Sequence, residues 1–492
     1  MDVYISGVGM TKFGKSKDPL QKMMANAASI ALREAQLERV DAIYIGVMNV
    51  EEFVGDSNFA TLLADTIGLT GIPSTRIETA SSTGAGAFET GLYAVASGHM
   101  KNVLVLAGEK MTHLPTAKTT RILSEVIDRS ERRYGATMPA LAAMVVQRYA
   151  QEFKISHQKL VDILAQIAMK NHSNGSLNPY AQFRKIISKD DYLKSQMISF
   201  PLRLYDCAPV TDGAAAIVLT SNPTPVKVSG IGHATDTSAV RHRASLTSFN
   251  STKEAALKAY GMAQLNPSDI HFAEVHDAFT PFEVIGTEDL GFFPSGKGWV
   301  ALEDGTTQLK GKLPINPSGG LKSRGHPVGA SGLAQLVEIV WQLRGEAGEG
   351  RQIERAEIGL AQSIGGLGNN NFVTILERSD RKRLMKEGWK LNYHPEITVS
   401  PKPIASPPSE GTGILETFTT LYSPPEGFLS PLTLGFVQTN WGERVMACNP
   451  DYRSPKRLKI GKQVNLRLRE GLYVFEKQPP WTRLKHWIKS LA

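Results

Sequence analysis

Asn316-Pro317-Ser318-Gly319-Gly320-Leu321-Lys322-Ser323-Arg324-Gly325-His326-Pro327-Val328-Gly329-Ala330-Ser331-Gly332 is the stretch from which the rest of the chain can be read. Five glycines and two prolines in 17 residues exclude a regular strand or helix over most of it. An apolar run at helical steps follows at once: Leu333, Leu336, Val337, Val340, Trp341 and Leu343. The pattern predicts a tight loop feeding a helix N-terminus, with His326 at its mouth. Free N–H groups and partial positive charge at such a terminus suit an anionic ligand or a developing oxyanion. So many glycines around one imidazole mark a place where something comes close to the backbone.

Working outward, the same order of elements occurs twice. Val40 to Val47 reads as a strand, Asp269 to Glu274 as its counterpart. Arg76 to Phe88 breaks from strand through Thr79-Ala80-Ser81-Ser82-Thr83-Gly84 into a helix, as the His326 loop does later. Val103 to Ala107, apolar throughout, matches Ile358 to Ala361. Two halves of alternating strands and helices imply a duplicated α/β unit, residues 1–225 and 226–378. An insertion at about 110–200 holds helices at Pro139 to Phe153 and His157 to Ser173, then a loop, Asn174-Gly175-Ser176. Asp18 as N-cap with Pro19, and Ser251-Thr252-Lys253-Glu254 as a capping box, are expected to open two further helices. A pseudo-twofold relation would bring the Ser81 and His326 loops face to face.

After Arg378 the style changes. Residues 379–411 are charged, then proline-rich, and read as a linker. Residues 412–480 hold short alternating strands, a small β-barrel, and 481–492 form a tail. Formal net charge is +8, part of it in the run from Arg378 to Lys386. No aromatics interleave that run, so no nucleic-acid groove is read from it. No apolar run reaches the ~18 residues of a membrane span. Met1-Asp2-Val3-Tyr4-Ile5 is not a basic-then-apolar leader, and a cytoplasmic protein is expected. Two cysteines, Cys207 and Cys448, with no Cys-x-x-Cys, exclude a zinc ribbon and a disulfide-built fold. Cys207 reads as a structural thiol.

Glu78 to Gly84, Val275-His276-Asp277-Ala278-Phe279, Ile315 to Gly332 and Ser363-Ile364-Gly365-Gly366 together resemble the thiolase superfamily, most closely its sterol-carrier-protein type. The resemblance covers residues 1–378 and implies the layered α-β-α-β-α thiolase fold. The C-terminal part resembles the OB-fold domain that accompanies such thiolases, here fused and without a zinc ribbon. The resemblance further implies a coenzyme A thioester as substrate, no metal and no bound cofactor. A homodimer is implied, with the OB-fold domain as a surface for larger assembly.

In that family a cysteine at the helix-start turn takes the acyl group; this chain has Ser81 there. Thiols suit the task better, being more acidic and better leaving groups. Two roles stay open for Ser81: a nucleophile with His326 as base, or a small hydrogen-bonding remnant. The family's second, acid/base cysteine is also absent, with Ala278 and Ser363 at its two known places. By resemblance His276 and His326 polarise the thioester carbonyl, His276 through a water. N–H groups near Ser81, Gly365 and Gly366 form a second oxyanion hole, and Asn316, Ser318 and Gly325 shape the substrate loop. Lys312 and Arg324 are candidates for coenzyme A phosphates. Three readings follow: acyl transfer, retro-aldol cleavage of a β-hydroxyacyl-CoA such as a steroid side chain, and a non-catalytic acyl-CoA-binding scaffold.

Overall fold

The computed structural model describes residues 1–381, 389–398, 407–449 and 458–477. The tail at 481–492, the basic run beyond Arg381 and part of the 379–411 linker lie outside them. Eleven strands come from the first 378 residues: β1 Tyr4–Met10, β2 Ala42–Gly46, β3 Ser74–Ile77, β4 Asn102–Glu109, β5 Met197–Ser199, β6 Leu202–Arg203, β7 Gly213–Thr220, β8 Val226–Thr235, β9 Phe272–Glu274, β10 Ile358–Gly365 and β11 Asn370–Arg378. Five follow: β12 Glu410–Leu421, β13 Leu432–Thr439, β14 Arg444–Asn449, β15 Gln463–Arg469 and β16 Leu472–Lys477.

Nine strands form one sheet, β3-β2-β4-β7-β1-β8-β11-β10-β9. Only Tyr4↔Lys227 and Ile5↔Val226 join β1 to β8. Outward from that seam, β1-β7-β4-β2 on one side and β8-β11-β10-β9 on the other share one pattern of directions. The first two steps are antiparallel and the third is parallel on each side. At the outer ends, β3 runs parallel beside β2, and Ile315 bridges Ala273 of β9 in the same sense. β4 and β7 are buried along nearly their whole length, which is why they read as continuous apolar runs.

The helices after the Ser81 turn (Thr83–Ala96) and the glycine loop (Ser331–Arg344) pack on each other at their starts. A Cβ on Gly84 would lie 2.8 Å from both Gly329 O and Leu333 N, and one on Gly332 3.0 Å from Ala85 N. Backbones meet there because neither position carries a side chain.

Several local expectations shift. The 157–173 helix runs on through Asn174-Gly175-Ser176. Gly175 lets the loop pack onto this helix: its own Cβ would lie 2.2 Å from Ser323 Oγ, and one at Gly319 2.6 Å from its Cα. The expected strand from Asp269 is only Phe272–Glu274, since Pro267–Asp269 is a 3-10 turn closed by Asn266 and Asp269. Asp18 does not cap the Leu20–Glu34 helix; it pairs with Lys22 at 2.8 Å, and Pro19 holds the cap position. Ser251 caps nothing either. Its helix begins at Asn250, and its hydroxyl donates to Gly368 O.

β12–β16 close into a barrel in the order β12-β13-β14-β16-β15-β12. It is not a free appendage. β12 extends to β5 through Leu421↔Ser199, and Thr417 Oγ1 donates to Met144 O in the Met138–Glu152 helix. Leu434, Phe436 and Met446 share one core with Ala140, Met144 and Val145.

Candidate active site

The glycine loop is three kinds of backbone in sequence. Asn316, Gly319 and Gly320 have φ of 56°, 95° and 59°; Gly320–Arg324 form one helical turn; Gly325, at φ 115°, releases the chain toward His326. Buried side chains brace each step. Asn316 Oδ1 accepts from Val275 N at 2.8 Å, and its Nδ2 donates to Glu283 at 2.9 Å. Ser318 N and Oγ both donate to Glu274, at 2.8 and 2.7 Å, and Arg324 pairs with the same carboxylate at 3.4 Å. Asp277 accepts from Leu321 N at 2.6 Å and Asn171 Nδ2 at 2.7 Å.

These contacts reassign four residues. Asn316 and Ser318 are spent on the loop's own architecture, not turned toward a substrate. Arg324, fully buried against Glu274, is unavailable to a coenzyme A phosphate. Lys312 is exposed but lines a depression with Asp269 and His271, at the opposite end of β9 from His276.

The loop delivers His326 half-buried beside His276, which is buried; the rings meet edge to face, centroids 5.2 Å apart. His326 Nδ1 lies 2.7 Å from Ser331 Oγ, which itself donates to Pro327 O at 3.0 Å. Giving the hydroxyl proton to that carbonyl lets Nδ1 donate to Oγ and leaves Nε2 its lone pair. Burial, aided by Arg324, pushes His326 down to about 3. Burial, then the neighbouring His326 and Arg324, hold His276 well below the usual histidine range. Both rings are therefore neutral at pH 7. His276 Nδ1 is buried without a protein partner, because Asp277 faces Leu321 and Asn171 instead.

The Ser81 turn is built differently. Ala80 takes φ 55°, a left-handed shape a non-glycine rarely adopts, and Ser81 follows it half-buried. Ser82, fully buried, donates to Thr79 O at 2.6 Å and Asn370 O at 3.0 Å. Gly365 lies on this turn: a Cβ there would sit 2.5 Å from Ser82 Oγ and Thr79 O. Two positions before it on β10, Ser363 meets Gly332, whose Cβ would lie 2.6 Å from its Oγ, and Ser331 beside Gly332 bonds His326. Gly366, at φ 57°, turns the chain just beyond. Cys207 borders the site through its bridge to Phe279, but burial pushes its thiol up to about 12.

Residues 3–223 match the thiolase N-terminal domain and residues 232–378 the thiolase C-terminal domain-like family. An acetyl-CoA acetyltransferase of Methanothermobacter thermautotrophicus is 42% identical over 387 residues, spanning 77% of this chain and all of that protein. The chain belongs to the thiolase family. Among other relatives of this thiolase, sterol carrier protein 2 of Bos taurus is 35% identical over 395 residues, covering 76% of this chain and 72% of that one. A monomeric SCP2-thiolase-like protein type 1 from Mycobacterium smegmatis shares the fold across 97% of this chain and 99% of its own (TM-score 0.72, 16% identity). The Ltp2-ChsH2(DUF35) aldolase does so over 77% of this chain and 99% of the matched chain (TM-score 0.66, 22% identity).

Sequence reading missed the residues that hold the site rather than face it. Ser331, five positions after His326, could have been found from its place on the first helical turn. Glu274, Asn171 and Glu109 carry no local signal. Glu274 and Glu109 stand in apolar strands and Asn171 in a polar stretch of a helix, and only their burial gives them meaning.

Proposed function

We propose that this thiolase acts on acyl-CoA thioesters with Ser81, in the place of the family's cysteine, as the acyl acceptor. His326 Nε2 takes the Ser81 proton as the hydroxyl attacks the thioester carbonyl. The collapsing intermediate expels coenzyme A thiolate, which takes that proton back from His326. N–H groups at the Ser81 turn and at Gly366 stabilise the oxyanion of that step. His276, neutral and with a free buried nitrogen, polarises the carbonyl of the second reactant. The observation that carries this reading is the contact of His326 Nδ1 with Ser331 Oγ, which supports the tautomer a base needs.

The mirrored strand order on either side of the β1/β8 seam supports reading the body as a duplicated, layered thiolase fold. The barrel's order supports reading it as an OB-fold domain serving the same substrate class. Intact mass spectrometry after incubation with acetyl-CoA tests the reading. An acetyl adduct is expected on the wild type and none on Ser81→Ala. Ala278 and Ser363 leave no thiol to shuttle protons, which favours one second reading, retro-aldol cleavage. Turnover of a β-hydroxyacyl-CoA without any adduct would put that reading in place of the first.

A further inference from the structure

Glu109 ends β4, and the acyl-transfer chemistry above leaves it without a task. It is fully buried. One oxygen, Oε2, accepts two backbone N–H groups, from Met48 at 3.2 Å and Gly329 at 3.1 Å. The other, Oε1, is buried with no partner. Oε2 thus takes both donors, and a proton on the carboxyl would sit on Oε1 as a hydroxyl. Burial holds the carboxyl well above the usual range, Glu78 adds to this, and the adjacent Lys110 ammonium is committed to Asp212 at 2.6 Å.

The residue Glu109 grips is the one where the two loops touch. Gly329 gives its N–H to Glu109, and its carbonyl oxygen is the atom a Cβ on Gly84 would strike at 2.8 Å. Gly84 lies three residues after Ser81, and Gly329 three after His326. Gly329 has no slack, since its own Cβ would come 2.7 Å from Gly108 O and 2.9 Å from Glu109. Ala80 and Val328, one from each loop, also pack in one apolar cluster with Met48.

The geometry points to Glu109 as a positioning residue that, through Oε2, fixes the His326 loop against the Ser81 turn and so sets the distance between nucleophile and base. It rests on the acyl-transfer reading for its consequence, but not for its test. Gln presents the same carbonyl to Met48 and Gly329 and an amide where the hydroxyl stands; Ala presents neither. The first readout is carbethoxylation of His326 by diethylpyrocarbonate, followed by peptide mass spectrometry against the exposed His157. His326 is expected to react several-fold faster in Glu109→Ala than in the wild type, and at the wild-type rate in Glu109→Gln. The second is the Ser81 acetyl adduct, lost in Glu109→Ala and kept in Glu109→Gln. If Glu109→Ala does not fold, Glu109→Met, which keeps the bulk and removes the acceptor, replaces it. His326 reactivity unchanged in every variant overturns the assignment. So does loss of the adduct in Glu109→Gln at unchanged His326 reactivity, since Glu109 would then be donating its proton. A wild type that forms no adduct sinks the acyl-transfer reading, while the His326 arm still decides the positioning.

Discussion

The Ser81 turn follows β3 and the His326 loop follows the Ile315 bridge to β9, yet they are held in opposite ways. The His326 loop is braced by buried acids from elsewhere: Glu274 on Ser318 and Arg324, Asp277 on Leu321, Glu109 on Gly329. The Ser81 turn is held by neutral, mostly local bonds, Ser82 to Thr79 and Asn370, and Thr83 Oγ1 to Ala80 O at 2.5 Å. Polar braces from buried acids in a desolvated site are strong when complete and costly when broken. The loop carrying the base is thus locked as a unit. The turn carrying the nucleophile can change its reactive atom without disturbing anything charged, and a serine there leaves the frame intact.

The largest effect should come from breaking the charged side. Glu274→Ala leaves Arg324 buried without its carboxylate and strips Ser318 of both acceptors, a loss of about 3–5 kcal/mol. A urea midpoint unchanged by this substitution would show that the loop is not held this way.

The second test separates base from frame. His326→Ala should slow Ser81 acetylation by about 10²- to 10⁴-fold, with the urea midpoint little changed. The pH profile sharpens it. With its folded-state value down at about 3, His326 stays neutral above that pH and loses the base form only below it. Acetylation should therefore be level from pH 8 down to 5. An ordinary histidine would lose half its base form near 6.5. A fall in rate centred there would contradict the buried, neutral imidazole.

How much of this could be read in advance follows from the same contrast. Glycines and prolines act locally, so the loop, its exit helix and the place of His326 were legible from Asn316 to Gly332. Short alternating runs exposed the barrel. Arg324 and Asn316 were misassigned because a polar residue in a glycine loop looks the same whether it faces a ligand or a buried partner. What separates the cases is a carboxylate such as Glu274, which stands next to His276 in sequence only by two positions but acts across the fold. Glu109 was invisible for the same reason: at the end of an apolar strand an acid looks like a strand terminator.

The smallest expected effect tests the neutral side. Ser82→Ala removes one hydroxyl that donates to Thr79 O and Asn370 O, with no charge left behind, so about 1 kcal/mol is at stake. Its value lies in direction. Gly365 rests on that hydroxyl, so its loss loosens the Gly365–Gly366 turn more than the His326 loop. Acetylation of Ser81 should fall by roughly fivefold, as a loss of that size implies. Carbethoxylation of His326 should not change. If His326 became more reactive as well, the two loops would be coupled through Ser82, and the division between a charged frame and a neutral, replaceable turn would fail.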